Sequence, residues 1–292
     1  MAHDSNSVRA DVLIEALPYI QKYRGHLFVI KYGGSAMEDE HTVERLLRDI
    51  VFLEAVGINP VLVHGGGKAI TDKMRQAGLK AKFVNGLRVT DEQTIRIVEE
   101  TLDHVINPKI VAKINEFGGK AVGLSGKQVI EAKKIQPVAD EKTKGVDFGF
   151  IGEVVGLNLD EVQKAVAQET VPVISPISKD AQGVALNVNA DLAAGAIAGA
   201  LKASKLIYLS DVLGIMRNPA EKDSLIPSVN CKEIQQLIND EVIEGGMIPK
   251  VKSAVDALEA GVGKVHFIDG RIPHSLLLEI FTNSGIGTEI MA

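Results

Sequence analysis

The stretch from Asn59 to Ala77 constrains the fold more than any other. An apolar run, Pro60-Val61-Leu62-Val63, meets His64-Gly65-Gly66-Gly67, and a helical pattern follows from Lys68. A short apolar run that ends in glycines and then turns helical reads as a buried parallel strand, a tight loop and a helix N-terminus. Three consecutive glycines remove every Cβ, so their N–H groups can approach a ligand while the helix behind them presents the positive end of its dipole. Such a junction either seats a phosphate or carboxylate or is a plain strand-to-helix turn, and this stretch alone leaves both open.

A second junction of the same design lies one βαβ unit earlier. Residues 26–30 read as the first strand, ending in Lys31-Tyr32-Gly33-Gly34-Ser35, which puts a lysine at the carboxyl end of a strand, where open α/β sheets bind ligands. Residues 39–56 between them read as a helix closed by Gly57, with Glu44 and Arg48 spaced to pair on its outer face. Further on, Asn85-Gly86 between two β-prone runs is a hairpin signal, from which Arg88 projects either toward the glycine loops or into solvent. Thr90-Asp91-Glu92-Gln93 reads as a capping box opening a helix to residue 106. The charged loop from Asp140 to Asp147 is expected to form a mobile hairpin over one end of the sheet.

The second half adds three polar groups. Asn187 and Asn189 share a strand face ahead of Asp191 and a helix of small residues, so two amides and a carboxylate either converge on one cleft or merely cap that helix. Lys250 follows Gly245-Gly246-Met247-Ile248-Pro249 at a helix start, where a cation opposes the dipole and either faces an anion or is solvated. Gly195 and Gly199 mark close helix packing in a soluble core. At the N-terminus, residues 8–24 form an amphipathic helical pattern with Leu13, Leu17 and Ile20 on one stripe and an expected kink at Pro18. It docks on its own domain or on another subunit.

Composition narrows the chemistry. With 292 residues, 46% of them hydrophobic, the chain can bury a large core as one unit or two lobes. A formal charge of −6 without a Lys/Arg run gives no nucleic-acid footprint, and no apolar stretch is long enough to span a membrane. The lone cysteine, Cys231, excludes an internal disulfide framework, and the polar N-terminus is unlike a signal peptide, so a cytoplasmic location is expected. Walker A, G-x-G-x-x-G, H-E-x-x-H and G-x-S-x-G patterns are absent, as is a Cys/His cluster. What remains, glycine loops with two lysines and an aspartate at one sheet edge, suits phosphoryl transfer, which asks for positioning and charge neutralisation. A carboxylate acceptor, with a pKa of about 4.3, is already ionised and requires no general base.

Taken together, 30–34, 63–67, 85–90, 187–191, 245–250 and the tail 268–288 resemble, in order and spacing, the amino acid kinase family in its acetylglutamate-phosphorylating branch. The resemblance spans about residues 12–290. It implies a three-layer αβα sandwich with a mainly parallel central sheet: an N-terminal oligomerisation helix (1–25), an N-lobe for acetylglutamate binding and dimerisation (26–178), and a C-lobe for ATP and arginine (179–292). ATP would phosphorylate the side-chain carboxylate of N-acetyl-L-glutamate, with Mg2+ arriving on the ATP phosphates and no metal ligands from the protein. By motif position, Lys31 and Lys250 would neutralise charge on the transferred phosphoryl group and Asp191 would hold both lysines. Gly33, Gly34, Gly66 and Gly67 would donate N–H bonds to phosphate oxygens or substrate. Arg88 would grip the α-carboxylate, Asn187 and Asn189 would contact substrate, and Ser210, Asp211, Gly214, Gly246 and Met247 would surround the nucleotide.

The extended N-terminus resembles the long, arginine-sensitive form, which implies a hexamer built as a trimer of dimers, inhibition by arginine through Tyr19, His266, Glu279 and Gly287, and a nitrogen-signalling PII protein as a possible partner. Lys68 stands where many relatives carry proline, and Leu213 and residues 217–223 match no assignable nucleotide pattern. Two alternatives remain at this stage: a kinase of N-acetyl-aminoadipate or a carrier-linked amino acid, and a non-catalytic arginine sensor.

Overall fold

The computed structural model describes all residues except 1, 38, 85, 136–146, 219 and 284. The strands are, in chain order, β1 (Leu27–Tyr32), β2 (Asn59–His64), β3 (Phe83–Val84), β4 (Leu87–Arg88), β5 (Ala121–Leu124), β6 (Ile130–Lys134), β7 (Ile151–Leu157), β8 (Val171–Ile174), β9 (Ile177–Lys179), β10 (Ala185–Val188), β11 (Lys205–Ser210), β12 (Ser228–Asn230), β13 (Lys264–Asp269) and β14 (Thr288–Met291). Eight of them build one sheet in the order β12-β14-β13-β11-β1-β2-β8-β5. Every neighbouring pair is parallel except β13 with β14. The pairing of β1 with β11 joins the four strands of the sheet up to residue 174 to the four from residue 205 onward.

A parallel sheet needs both faces covered. In β1, Phe28, Ile30 and Tyr32 pack into one apolar layer and Val29 into the other. Helices Glu40–Ala55, Asn107–Glu116 and Ser275–Ile280 form the first layer, and Asp160–Ala167, Ala190–Ala200 and Met247–Glu259 the second. This is the αβα sandwich expected. The carboxyl ends of β1, β2 and β11 lie side by side, with Lys31 opposite Val63 on one flank and Tyr208 on the other. Strands β6, β7, β9 and β10 close into a small barrel, and β3 pairs with β4 as the expected hairpin.

Several local expectations change. The helix opening near residue 91 runs through α-helix Glu92–Glu99, π-helix Glu100–Ile106 and α-helix Asn107–Glu116. Its cap is Asp91, whose carboxylate accepts the Thr94 N–H at 2.7 Å, while the Thr90 hydroxyl turns back to the Arg88 carbonyl at 2.6 Å. Glu44 reaches Lys113 at 3.1 Å and the Arg48 guanidinium lies 4.0 Å from the Phe117 ring, so the expected Glu44 with Arg48 pair is not formed. Strands β9, β12 and β14 are too short for alternation to register in the sequence. Of the expected charged hairpin, residues 140–146 lie outside the described residues.

The N-terminal helix spans Ala2–Tyr23, docks one face on its own domain and leaves a second apolar stripe exposed. Ala16, Tyr19, Ile20 and Tyr23 pack on the chain's own core, whereas Val12, Leu13, Ile14 and Leu17 are 58, 67, 67 and 42% exposed. Among the described residues no helix is long and apolar enough to cross a membrane.

Candidate active site

The two glycine junctions meet at the carboxyl edge of β1 and β2. A Cβ on Gly33 would lie 2.9 Å from Lys31 Nζ, so this glycine makes room for the ammonium group. Gly34 has φ +73°, a conformation that glycine adopts without penalty. Behind the second junction, a Cβ on Gly66 would lie 2.7 Å from Leu102 Cδ2 and from Ile106 Cδ1, so the glycine lets the π-helical turn pack against the loop. Gly66 caps helix Gly67–Gln76, and N–H groups at this end of a helix have no intrahelical acceptor.

Lys31 Nζ sits 2.8 Å from Asp191 Oδ1, with the two side chains only 8% and 11% exposed. The angles fall outside hydrogen-bond geometry, so the contact is Coulombic. Asp191 is fixed through its main chain: its carbonyl accepts from Ser253 Oγ at 2.9 Å and Tyr208 Oη at 3.3 Å. Gly195 permits this approach, since a Cβ there would collide with Ser253 Oγ. The small-residue helix therefore serves close packing, as its glycine spacing indicates, and that packing delivers the carboxylate.

Arg88 lines the same cavity of about 190 Å³ as Lys31, Gly65, Gly66, Gly67, Asn187, Asn189 and Asp191, among others. The guanidinium is buried. Its Nη2 donates to the Gly67 carbonyl at 2.7 Å and to Thr71 Oγ1 at 2.8 Å, and the group lies 4.6 Å from the Phe83 ring centre. Burial draws its pKa below the usual arginine value, and among the described residues no carboxylate pairs with it. A guanidinium lining a cavity without an acidic partner has the charge and planar donor geometry to bind a carboxylate. Asn187 Nδ2 donates to Thr90 Oγ1 at 3.2 Å. Asn189 caps helix Ala190–Ala200 through Oδ1, which accepts the Asp191 and Leu192 N–H groups at 2.8 and 3.3 Å. Capping and cleft lining are both realised.

Lys250 occupies the first turn of helix Met247–Glu259, half-buried. Burial pulls its pKa below the ordinary lysine value, Lys31 adds to the fall, and Asp191 and Asp211 oppose it. Lys31 pairs with Asp191 directly, and Lys250 feels the same carboxylate at longer range. Gly246 and Met247 open the same helix, and Ser210 ends β11 with Asp211 exposed just beyond. None of the five expected nucleotide residues lines the 190 Å³ cavity. Gly214, at φ +157°, has a packing reason of its own: a Cβ would strike Thr288 Oγ1.

The profile of the amino acid kinase family matches residues 26–269. The chain belongs to the amino acid kinase family. Among family relatives, an acetylglutamate kinase of Akkermansia muciniphila is 52% identical over 97% of this chain and 95% of its own. One of Methanocaldococcus jannaschii is 51% identical over 97% and 96%. Among solved structures, N-acetylglutamate synthase from Neisseria gonorrhoeae, complexed with coenzyme A and N-acetyl-glutamate, superposes over 97% of this chain at a TM-score of 0.85 with 27% identity. This chain spans only 63% of the synthase's length. A second structure of that synthase, complexed with coenzyme A and L-arginine, superposes at 0.82 with 26% identity over 97% of this chain and 65% of that one.

In this amino acid kinase the expected regulatory residues also gather. His266 Nδ1 lies 2.6 Å from Glu279 Oε1, and Glu279 Oε2 accepts the Ile286 and Gly287 N–H groups at 2.7 and 3.1 Å. Burial opposes ionisation of Glu279, yet the bonds from His266 and the two amides hold its pKa below the usual range. Tyr19 reaches the cluster's edge, donating to Asn283 Oδ1 and meeting the Phe281 ring edge-on at 6.4 Å. Sequence reasoning missed Lys205, whose Nζ is 2.8 Å from His266 Nε2 and whose pKa burial lowers to about 8. Its signal was a lysine opening the apolar strand β11. Thr71, Ser253 and Tyr208 were missed as well, because ordinary polar residues in helices and strands carry no distinguishing pattern.

Proposed function

We propose that the chain transfers the γ-phosphoryl group of ATP to the side-chain carboxylate of N-acetyl-L-glutamate, giving N-acetyl-L-glutamyl 5-phosphate in arginine biosynthesis. Relatives of this activity at 52% and 51% identity over almost their whole lengths support it. The observation that carries the chemistry is one cavity lined together by a buried guanidinium, the Lys31 with Asp191 pair and the triple-glycine loop. Arg88 binds the α-carboxylate and Asn187 and Asn189 contact the rest of the acceptor, which points its side-chain carboxylate at the glycine loops. Gly33, Gly34, Gly66 and Gly67 present N–H groups to the phosphoryl oxygens. Lys31 and Lys250 neutralise the charge that spreads over them in the transition state, and Asp191 keeps both ammonium groups in place. ATP enters as its magnesium complex from the side of Ser210, Asp211, Gly214, Gly246 and Met247, so that residues 26–178 carry the acceptor and 179–292 the nucleotide.

Arginine is the regulator on this reading. The gathering of His266, Glu279 and Gly287 beside Tyr19 supports a guanidinium site, since Glu279 is an ionised carboxylate beside two amides. The exposed apolar stripe on the N-terminal helix supports assembly into a hexamer of the long form.

The test is ATP-dependent acyl phosphate formation, trapped as hydroxamate, with N-acetyl-L-glutamate and N-acetyl-aminoadipate side by side, each with and without arginine. Turnover of the glutamate acceptor suppressed by arginine supports both parts. Turnover indifferent to arginine removes the regulatory part, and preference for the longer acceptor overturns the substrate.

A further inference from the structure

The triple-glycine loop is held from behind by a buried polar chain that neither substrate nor nucleotide touches on the reading above. His64, the last residue of β2, is fully buried. Its Nδ1 lies 3.0 Å from the carbonyl oxygen of Gly65, an atom that can only accept, so Nδ1 carries the proton. Its Nε2 lies 3.2 Å from Asn107 Nδ2, which also donates to the Val173 carbonyl at 2.8 Å. The second of these bonds fixes the orientation of the Asn107 amide, and Nε2 of His64 is then the acceptor. Only the neutral Nδ1–H tautomer satisfies both contacts. Burial keeps the ring in that form by lowering its pKa to about 4.

The surroundings are shaped around this chain. A Cβ on Gly123 in β5 would collide with Asn107 Oδ1, so the glycine there leaves space for the amide. Asn107 opens the α-helix that continues the π-helical turn, the same turn whose Leu102 and Ile106 rest on Gly66.

The consequence falls on the direction of one N–H group. The Gly65 N–H donates to the Tyr32 carbonyl at 2.7 Å, and the Gly65 carbonyl is taken by His64. In a trans peptide the next N–H points opposite to that carbonyl, away from the imidazole, and it belongs to Gly66, which lines the cavity. We propose that His64, braced by Asn107, is a positioning residue for phosphoryl transfer: it holds the Gly65 carbonyl so that the Gly66 N–H is preset toward the transferred group. The proposal rests on the kinase reading and adds to it a residue that touches no reactant.

The test compares His64→Phe, which keeps the ring's bulk and deletes both nitrogens, with His64→Asn, whose Nδ2 takes the place of the histidine Nδ1. Wild-type turnover of N-acetyl-L-glutamate comes first, since its absence would overturn the kinase reading and not this one. With wild type active, His64→Phe is expected to lower kcat about 10- to 100-fold while leaving the acetylglutamate KM within about twofold, because Arg88 and Asn187 are untouched. His64→Asn is expected to recover kcat to within about fivefold of wild type by restoring the donor. A His64→Phe enzyme with wild-type kcat overturns the proposal, as does a His64→Asn enzyme that falls equally far or a KM that rises in step with the loss. Should His64→Phe fail to fold, imidazole 15N shifts of the wild-type enzyme decide: a protonated Nδ1 and bare Nε2, unchanged between about pH 6 and 8, support it, and a ring that titrates there overturns it.

Discussion

Replacing Asp191 by asparagine tests whether the buried ion pair organises the site. Lys31 Nζ and Asp191 Oδ1 are 2.8 Å apart, and both side chains are almost fully buried, so solvent screening is weak. At an effective dielectric of about 20, two unit charges at that separation attract by about 6 kcal/mol, which is a ceiling because both ions were desolvated on folding. The substitution leaves a buried ammonium without its counter-charge. Asparagine keeps one oxygen as a hydrogen-bond acceptor, and removing one partner of a buried pair typically costs about 3–5 kcal/mol, so the lower end, about 3 kcal/mol, is expected. The double variant Lys31→Met/Asp191→Leu replaces the pair by apolar groups and is expected to lie within about 1 kcal/mol of wild type, though inactive. Urea unfolding at one fixed protein concentration measures this by far-ultraviolet circular dichroism, because the chain has no tryptophan. An Asp191→Asn protein within about 1 kcal/mol of wild type would refute the reasoning, as would a double variant no more stable than the single one.

Three other substitutions test separate parts of the molecule. Arg88→Ala removes the guanidinium that donates to Gly67 and Thr71, and it is expected to raise the acetylglutamate KM about 10- to 100-fold with kcat changed much less; a wild-type KM takes Arg88 out of the acceptor site. Lys205 has a pKa of about 8 in the fold against about 10.4 unfolded, so between those values the unfolded chain binds more protons and native stability rises with pH, by about 3 kcal/mol across the window. Lys205→Met is expected to abolish that rise, and parallel stability curves for the two proteins from about pH 8 to 10 would contradict it. Leu13→Glu alters a side chain that is 67% exposed, so the protomer's fold is expected to be indifferent while the larger assembly dissociates; an unchanged molar mass by light scattering removes this stripe from the interface.

What the sequence disclosed follows from which interactions leave a local trace. The glycine junctions were legible because a parallel strand buried on both faces needs a continuous apolar run, and because a loop with no Cβ can be written only with glycine. Arg88 and Asp191 could be placed near those junctions, and Asp191 with Lys31, but the groups that hold them in place could not be named. Arg88 owes its position to Gly67 and Thr71 on a helix some twenty residues earlier, and Asp191 to Ser253 on a helix some sixty residues later. Contacts of that range have no period. The same limit explains Thr90, expected as a cap and found bonded to the Arg88 carbonyl, because a hydroxyl beside a hairpin has two competing acceptor sets and the fold selects between them. It explains His64 most clearly. Within the sequence it is one more residue between an apolar run and three glycines, and its meaning depends on Asn107, 43 residues later, whose amide is in turn oriented by the Val173 carbonyl. A polar side chain at the end of a wholly buried strand nevertheless demands partners, since an unsatisfied buried nitrogen costs about 1–3 kcal/mol. That demand is visible in the sequence even where the partner is not, and it marks where a site's supporting residues should be sought.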